Sequence, residues 1–168
     1  QGTQGAGGWY YGEWIRTGSA SVYSPTDFSS FIHEPSTVNR GTWHPMNYDP
    51  DPGSPNFTWC YIAQYWQHPE HLESGERRPI RRWQSPVSGP VRVVIRNFGP
   101  NPDADSNGVR LEIFVDGASM YERVAFRERI TDEVTLFLQE GQRVDFVVDA
   151  NGSDANDTTE LEIEVHGV

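Results

Sequence analysis

Between residues 91 and 165 the chain alternates apolar and polar residues four times over, and few folds satisfy that pattern. Val91, Val93 and Ile95 alternate with Arg92 and Arg96, and Val109, Leu111, Ile113 and Val115 with Arg110, Glu112 and Asp116. Val144, Phe146 and Val148 alternate with Arg143 and Asp145, and Leu161, Ile163 and Val165 with Glu160, Glu162 and Glu164. Successive strand side chains point to opposite faces, so each run reads as a half-buried antiparallel strand. The intervening segments (PVSGP, FGPNPDADSNG, VDGAS, QEGQ, DANGSDAND) are turn chemistry. The predicted fold is all-β, an antiparallel β-sandwich of jelly-roll type. It leaves room for at most one short helix near residues 25–32, where Ser24 is a fitting N-cap, Pro25 the first helical residue and Asp27 a first-turn acid. FTWCYIAQYW (57–66) is apolar on both faces and reads as a central, doubly covered strand.

The chain has 168 residues, the size of one domain with a single core. The sandwich is expected over residues 9–168. Ahead of it lies a side-chain-poor tail, Gln1, Gly2, Thr3, Gln4, Gly5, Ala6, Gly7 and Gly8, which runs into four aromatics from Trp9 to Trp14. Gln1 reads as a processed mature terminus or an artificial boundary. No run of 18 apolar residues suits a membrane span. The net charge is −11 and all 13 basic residues are arginine, a balance that argues against nucleic acid as partner. The one cysteine, Cys60, excludes an internal disulfide framework and reads as a buried thiol. Asn56, Asn151 and Asn156 head Asn-x-Ser/Thr triplets, a weak pointer to glycosylation.

Three strings, IRRWQSPVSGPVRVVIRNF, NGVRLEIFVDGASMY and EGQRVDFVVDANGSDANDTTELEI, together with HPE at 68–70, resemble a β-sandwich accessory domain of secreted bacterial proteins, of carbohydrate-binding-module type. The resemblance covers roughly residues 60–165, and its motifs are mostly fold-defining. It implies an extracellular or cell-surface, non-catalytic sandwich.

Sugar sites stack Trp or Tyr faces on pyranose C–H groups while polar side chains read the hydroxyls. The candidates are Trp43, His44 and Tyr48 in TWHPMNYDPDPG, Tyr65, Trp66 and His68 in QYWQHPEH, and Arg82. No cofactor is required, but Ca²⁺ is a candidate. Asp103, Asp105 and Asn107, followed by Gly108, match the front of a calcium loop, although Phe114 stands where an EF-hand has its bidentate Glu. Asp149, Asn151, Asp154 and Asp157 form a second oxygen-rich loop. Both loops are equally well read as ordinary turns. Nothing marks a nucleophile, a phosphate loop or a carboxylate pair tuned for acid–base work, so no enzyme is expected.

Arg77, Arg78, Arg81 and Arg82 concentrate positive charge, while Glu160, Glu162 and Glu164 share one strand face and repel unless a cation covers them. Arginines on a neighbouring copy would serve. The main expectation is therefore a structural subunit of a fibre, tube or surface layer, with residues 1–8 donated to another copy's sheet edge. The alternative is a module that binds a polysaccharide through exposed Trp or Tyr and Arg, an acidic polysaccharide where the arginines grip uronate or sulfate groups.

Overall fold

The computed structural model describes residues 3–17, 22–35, 41–49, 51, 54, 58–72, 75–101 and 106–167. Two antiparallel sheets face each other. Sheet A contains β1 (Trp9–Arg16), β2 (Phe28–Ser30), β7 (Glu70–Leu72), β8 (Gly75–Gln84), β10 (Val109–Val115), β11 (Ala118–Ala125) and β13 (Arg143–Asp149). Its order is β11-β10-β13-β8-β1-β2, with β7 on the free part of β8. Sheet B contains β3 (Ile32–Glu34), β4 (Thr42–His44), β5 (Tyr61–Ile62), β6 (Trp66–His68), β9 (Gly89–Pro100), β12 (Ile130–Leu138) and β14 (Thr159–Gly167), in the order β12-β9-β14-β6-β5-β4-β3. The β-sandwich anticipated from the alternation is present. The predicted inward residues of β9, β10, β13 and β14, among them Val93, Ile95, Leu111, Phe146 and Leu161, fill the space between the sheets.

The helix expected near residues 25–32 is one 3-10 turn, Pro25–Asp27. Its capping box forms as the sequence suggests, with Ser24 N–H donating to Asp27 Oδ2 at 3.0 Å. Phe28 then enters β2, so the helix ends after three residues.

The expected strand over 57–66 is instead a turn between two short strands. Tyr61 pairs with His68 and Ile62 with Gln67 around the turn 63–65. Ala63 N–H donates to Trp66 O at 2.6 Å, closing it. From inside the sandwich, Arg81 donates to Ala63 O at 3.0 Å and Gln64 O at 3.2 Å, an attachment that a local sequence pattern does not reveal.

ERRPIRRWQ forms the central strand β8 despite Pro79. On one side β8 pairs with β13 as far as Ile80 and with β7 from Arg77 onward. Pro79 falls in the gap between those partners, where a missing N–H is tolerated.

Residues 3–8 are not an extended donor strand. Gly5 N–H donates to Trp9 O, and Ala6–Gly8 make a 3-10 turn whose glycines Gly5, Gly7 and Gly8 have positive φ. The Gln4 amide then acts as an extra rung between β1 and the end of β2. Its Nε2 donates to Tyr11 O at 2.7 Å and Phe31 O at 2.9 Å, and its Oε1 accepts from Tyr11 N–H at 2.7 Å. These bonds hold Thr3–Gly8 on the chain's own sheet; Gln1 and Gly2 lie outside the described residues.

Candidate functional site

Alternation fixes which side chains of sheet B face outward. Ile62, Gln67 and Leu161 are fully buried, so Tyr61, Trp66, His68 and Glu160 point away from the core. Trp59 stands beside them, its ring 5.9 Å from that of His68, and Tyr61 stacks on His68 at 6.0 Å. Burial lowers the pKa of His68 below the ordinary imidazole value. On the turn, Tyr65 is 45% exposed and takes a hydrogen bond from Gln64 Nε2 at 2.8 Å. Trp59 and Trp66 are each 38% exposed. The Arg129 guanidinium lies 5.5 Å from the Trp66 ring centroid and 3.3 Å from Glu160 Oε2. The result is an aromatic corner at the β5–β6 turn, with an amide, an imidazole and an ion pair along its border.

The same face continues onto a groove of about 560 Å³ over β12, β9 and β14. Arg92, Arg96, Glu133, Glu164 and His166 line it, and Val94 lies in its floor. A second depression, of about 840 Å³, lies at Gln84, Asp116 and Gln139–Arg143. No aromatic residue lines it, and Asp116 there already accepts from Gln142 Nε2 and from Arg143.

Of the sugar-site candidates, Tyr65, Trp66 and His68 come together at the corner. Trp43 points inward, 6% exposed and stacked on Tyr11 at 4.8 Å, and serves packing. His44 is buried, with Nδ1 at 2.9 Å from Pro45 O and Nε2 at 3.1 Å from Glu34. Tyr48 stacks on it at 4.4 Å, and burial raises its phenol above the ordinary value. Arg82 is enclosed by Asp145, Tyr23 and Pro25 O over the Phe28 ring and is closed to a ligand. Sequence reasoning missed Trp59, Tyr61 and Arg129. A signal for the first two existed: in Trp59-Cys60-Tyr61-Ile62 the aromatics alternate with residues suited to the core.

The other arginines of ERRPIRR are likewise engaged within the chain. Arg78 is buried against Glu76, Glu112 and Asp149, and Arg77 lies 3.4 Å from both Glu13 and Glu70. Among the described residues Arg81 donates to neutral acceptors, Gln67 Oε1 and two carbonyls, and burial pushes its guanidinium down to about 10. Two glutamates of the β14 face pair with arginines of the same chain, Glu160 with Arg129 and Glu164 with Arg96, while Glu162 accepts a hydrogen bond from Asn97. No second copy is needed to cover these charges.

In the oxygen-rich loops, Asp103 and Asp105 lie outside the described residues. Asn107 and Asn151 exchange side-chain-to-backbone hydrogen bonds, Asp149 pairs with Arg78, and Asp154 accepts from His71 N–H at 3.2 Å. Among the described residues no three His, Cys, Asp or Glu side chains form a group able to hold a metal. Asp157 is fully buried, its Oδ1 accepting from Ser106 and its Oδ2 without a hydrogen-bond partner among the described residues. Burial first, then the charges of Asp154 and Asp149, push its carboxyl up to about 7, against the lowering effect of the Ser106 hydrogen bond. The folded chain thus binds this proton more tightly than the unfolded chain. Stability is expected to fall as pH rises from about 4 to about 7 and to stay lower above that. Asp157→Asn is expected to flatten this decline and to raise stability at pH 8, measured by urea unfolding; an unchanged pH profile would refute the assignment.

No protein-family model and no curated protein matches this chain. The solved structures similar to it include a family 35 carbohydrate-binding module from an environmental isolate (12% identity, 92% of this chain, 93% of that one, TM-score 0.38). Another is the family 35 module from Paenibacillus barcinonensis (10% identity, 95% and 98%, TM-score 0.36). A third is the M60 catalytic domain with two family 51 modules from Clostridium perfringens ZmpB (15% identity, 56% of this chain, TM-score 0.36). This chain spans 11% of the length of that last protein.

Proposed function

We propose that this chain is a non-catalytic glycan-binding module whose platform is the aromatic corner of Trp59, Tyr61, Tyr65 and Trp66. One observation carries the reading. Trp14, Trp43 and Trp83 are buried, whereas Trp59, Tyr65 and Trp66 hold large ring areas in water on one corner. Aromatic side chains contribute most when covered, so a cluster left open marks a contact surface. Ring faces suit the C–H faces of pyranoses, and the adjoining Gln64 amide, His68 and Arg129–Glu160 pair suit hydroxyls. The carboxylate that register places on this corner, Glu160, is already engaged by Arg129, and glycosidic cleavage calls for two carboxyl groups flanking the bond. A polysaccharide partner and an extracellular or cell-surface location go with this reading. The tail is tied to the chain's own sheet: Gln4 and Gly5 spend their hydrogen bonds on β1 and on Phe31 just past β2.

Titration against a panel of soluble oligosaccharides and polysaccharides, read by tryptophan fluorescence, tests the proposal. A bound glycan is expected to shift the emission of the exposed tryptophans to the blue, and Trp66→Ala to weaken binding at least tenfold, about 1.4 kcal/mol. Wild-type affinity in Trp66→Ala would rule out the platform.

A further inference from the structure

The outer face of sheet B does not end at the aromatic corner. Glu160 of β14 lies opposite Trp66 of β6 and opposite Gly99 of β9. Four residues further along β14, Glu164 lies opposite Val94, which itself lies opposite Glu133 of β12. Two strand spacings across and four residues along put Trp66 and the centre of the groove roughly 16 Å apart, the reach of an oligosaccharide rather than of one ring. Arg96 and Glu162 lie opposite one another in the stretch between them, just past the register shift that separates Glu160 from Glu162.

Each arginine in the groove faces a carboxylate, and a third acid in the lining, Asp132, accepts from Tyr121 O–H at 2.8 Å. Arg96 holds Glu164 at 2.9 and 3.3 Å, His166 shares that carboxylate at 3.2 Å, and Arg92 lies 3.7 Å from Glu133. Arg92 and Arg96 are nevertheless half-exposed, with planar donors facing solvent beside carboxylate acceptors. Alternating donors and acceptors suit hydroxyls, which both donate and accept. An anionic sugar would have to displace Glu133 or Glu164 from its arginine, on a chain whose net charge is already −11. Nearly buried Val94 between these groups gives the sugar ring an apolar floor.

We propose that the groove of Arg92, Arg96, Glu164 and His166 is a second subsite, and that the ligand is a neutral glycan chain lying diagonally across sheet B from Trp66 to His166. This rests on the aromatic corner being a glycan platform. It adds a direction, a minimum chain length and a charge class.

The test is calorimetric titration with neutral gluco-, xylo- and manno-oligosaccharides of one to six units, and with galacturonate oligomers of the same lengths. For a neutral series that binds, affinity is expected to rise up to about four units, the span between the two subsites. Galacturonates are expected to bind at least tenfold more weakly. Arg96→Ala and His166→Ala are expected to lower affinity for the long oligomers by roughly tenfold and mono- and disaccharide affinity by much less, since the aromatic corner alone can hold those. Thermal melting of both variants confirms that these exposed positions leave the fold intact. Galacturonate binding as tight as neutral binding, or long-chain affinity unchanged in both variants while Trp66→Ala still abolishes binding, overturns the second subsite and spares the platform. Wild-type binding by Trp66→Ala, or no binding to any series, overturns both.

Discussion

Asp145→Ala should destabilise the protein by about 3–5 kcal/mol, the cost of leaving a buried arginine without its partner. Asp145 is fully buried on the outer face of sheet A, where the segment around Tyr23 and Pro25–Asp27 covers it. Arg82 grips it with Nε on Oδ1 at 2.6 Å and Nη2 on Oδ2 at 3.0 Å, and Tyr23 O–H donates to Oδ2 at 2.7 Å. Arg82 also donates to Pro25 O at 3.1 Å and lies 4.0 Å over the Phe28 ring, so it has little freedom to swing into water. Burial and the Asp145 carboxylate push the Tyr23 phenol far above its ordinary range, so it stays a donor at any working pH. The loss amounts to a melting temperature lower by roughly 10 °C for a domain of this size. Calorimetry or urea unfolding measures it, and Tyr23→Phe completes a double-mutant cycle. A loss below about 1 kcal/mol would place the pair with exposed salt bridges and refute this account.

That pair shows where local reading stops. The alternation in β13 gave Val144, Phe146 and Val148 correctly as core, because period two follows from strand geometry alone. The same alternation made Asp145 and Arg82 look solvated. Nothing nearby says that residues 22–28, some 120 positions earlier, lie over that face with Tyr23 packed among Trp14, Ile80, Phe114 and Val147. Charges that read as a binding or assembly patch become internal ion pairs once covered. The first half was harder still, because apart from β1 and β8 its strands are two or three residues long and hold their place by long-range contacts. Trp43 and Trp66 are equally aromatic in sequence, yet one stacks on Tyr11 in the core and the other stands open beside Arg129. The Gln4 amide rung falls in the same class, since its partners Tyr11 and Phe31 are neighbours only after β1 and β2 pair.

Arg81 links that buried chemistry to the proposed site, and Arg81→Met should impair both stability and binding. Its guanidinium is charged at neutral pH, and its three bonds end on Gln67 Oε1 at 3.1 Å, Gln64 O and Ala63 O, which together pin the turn that presents Tyr65 and Trp66. Met fills similar volume but strands those acceptors, at a cost of about 2–4 kcal/mol. Lys restores a charge without the planar fork and should recover only part of the loss. Because the turn carries two of the exposed rings, hydrogen exchange at residues 63–66 should quicken in Arg81→Met, and glycan affinity should fall with it. Trp66→Ala should weaken binding while leaving both stability and that exchange near wild type. If Arg81→Met loses stability but keeps full affinity, the turn holds its shape without the tether, and Arg81 acts on the fold alone.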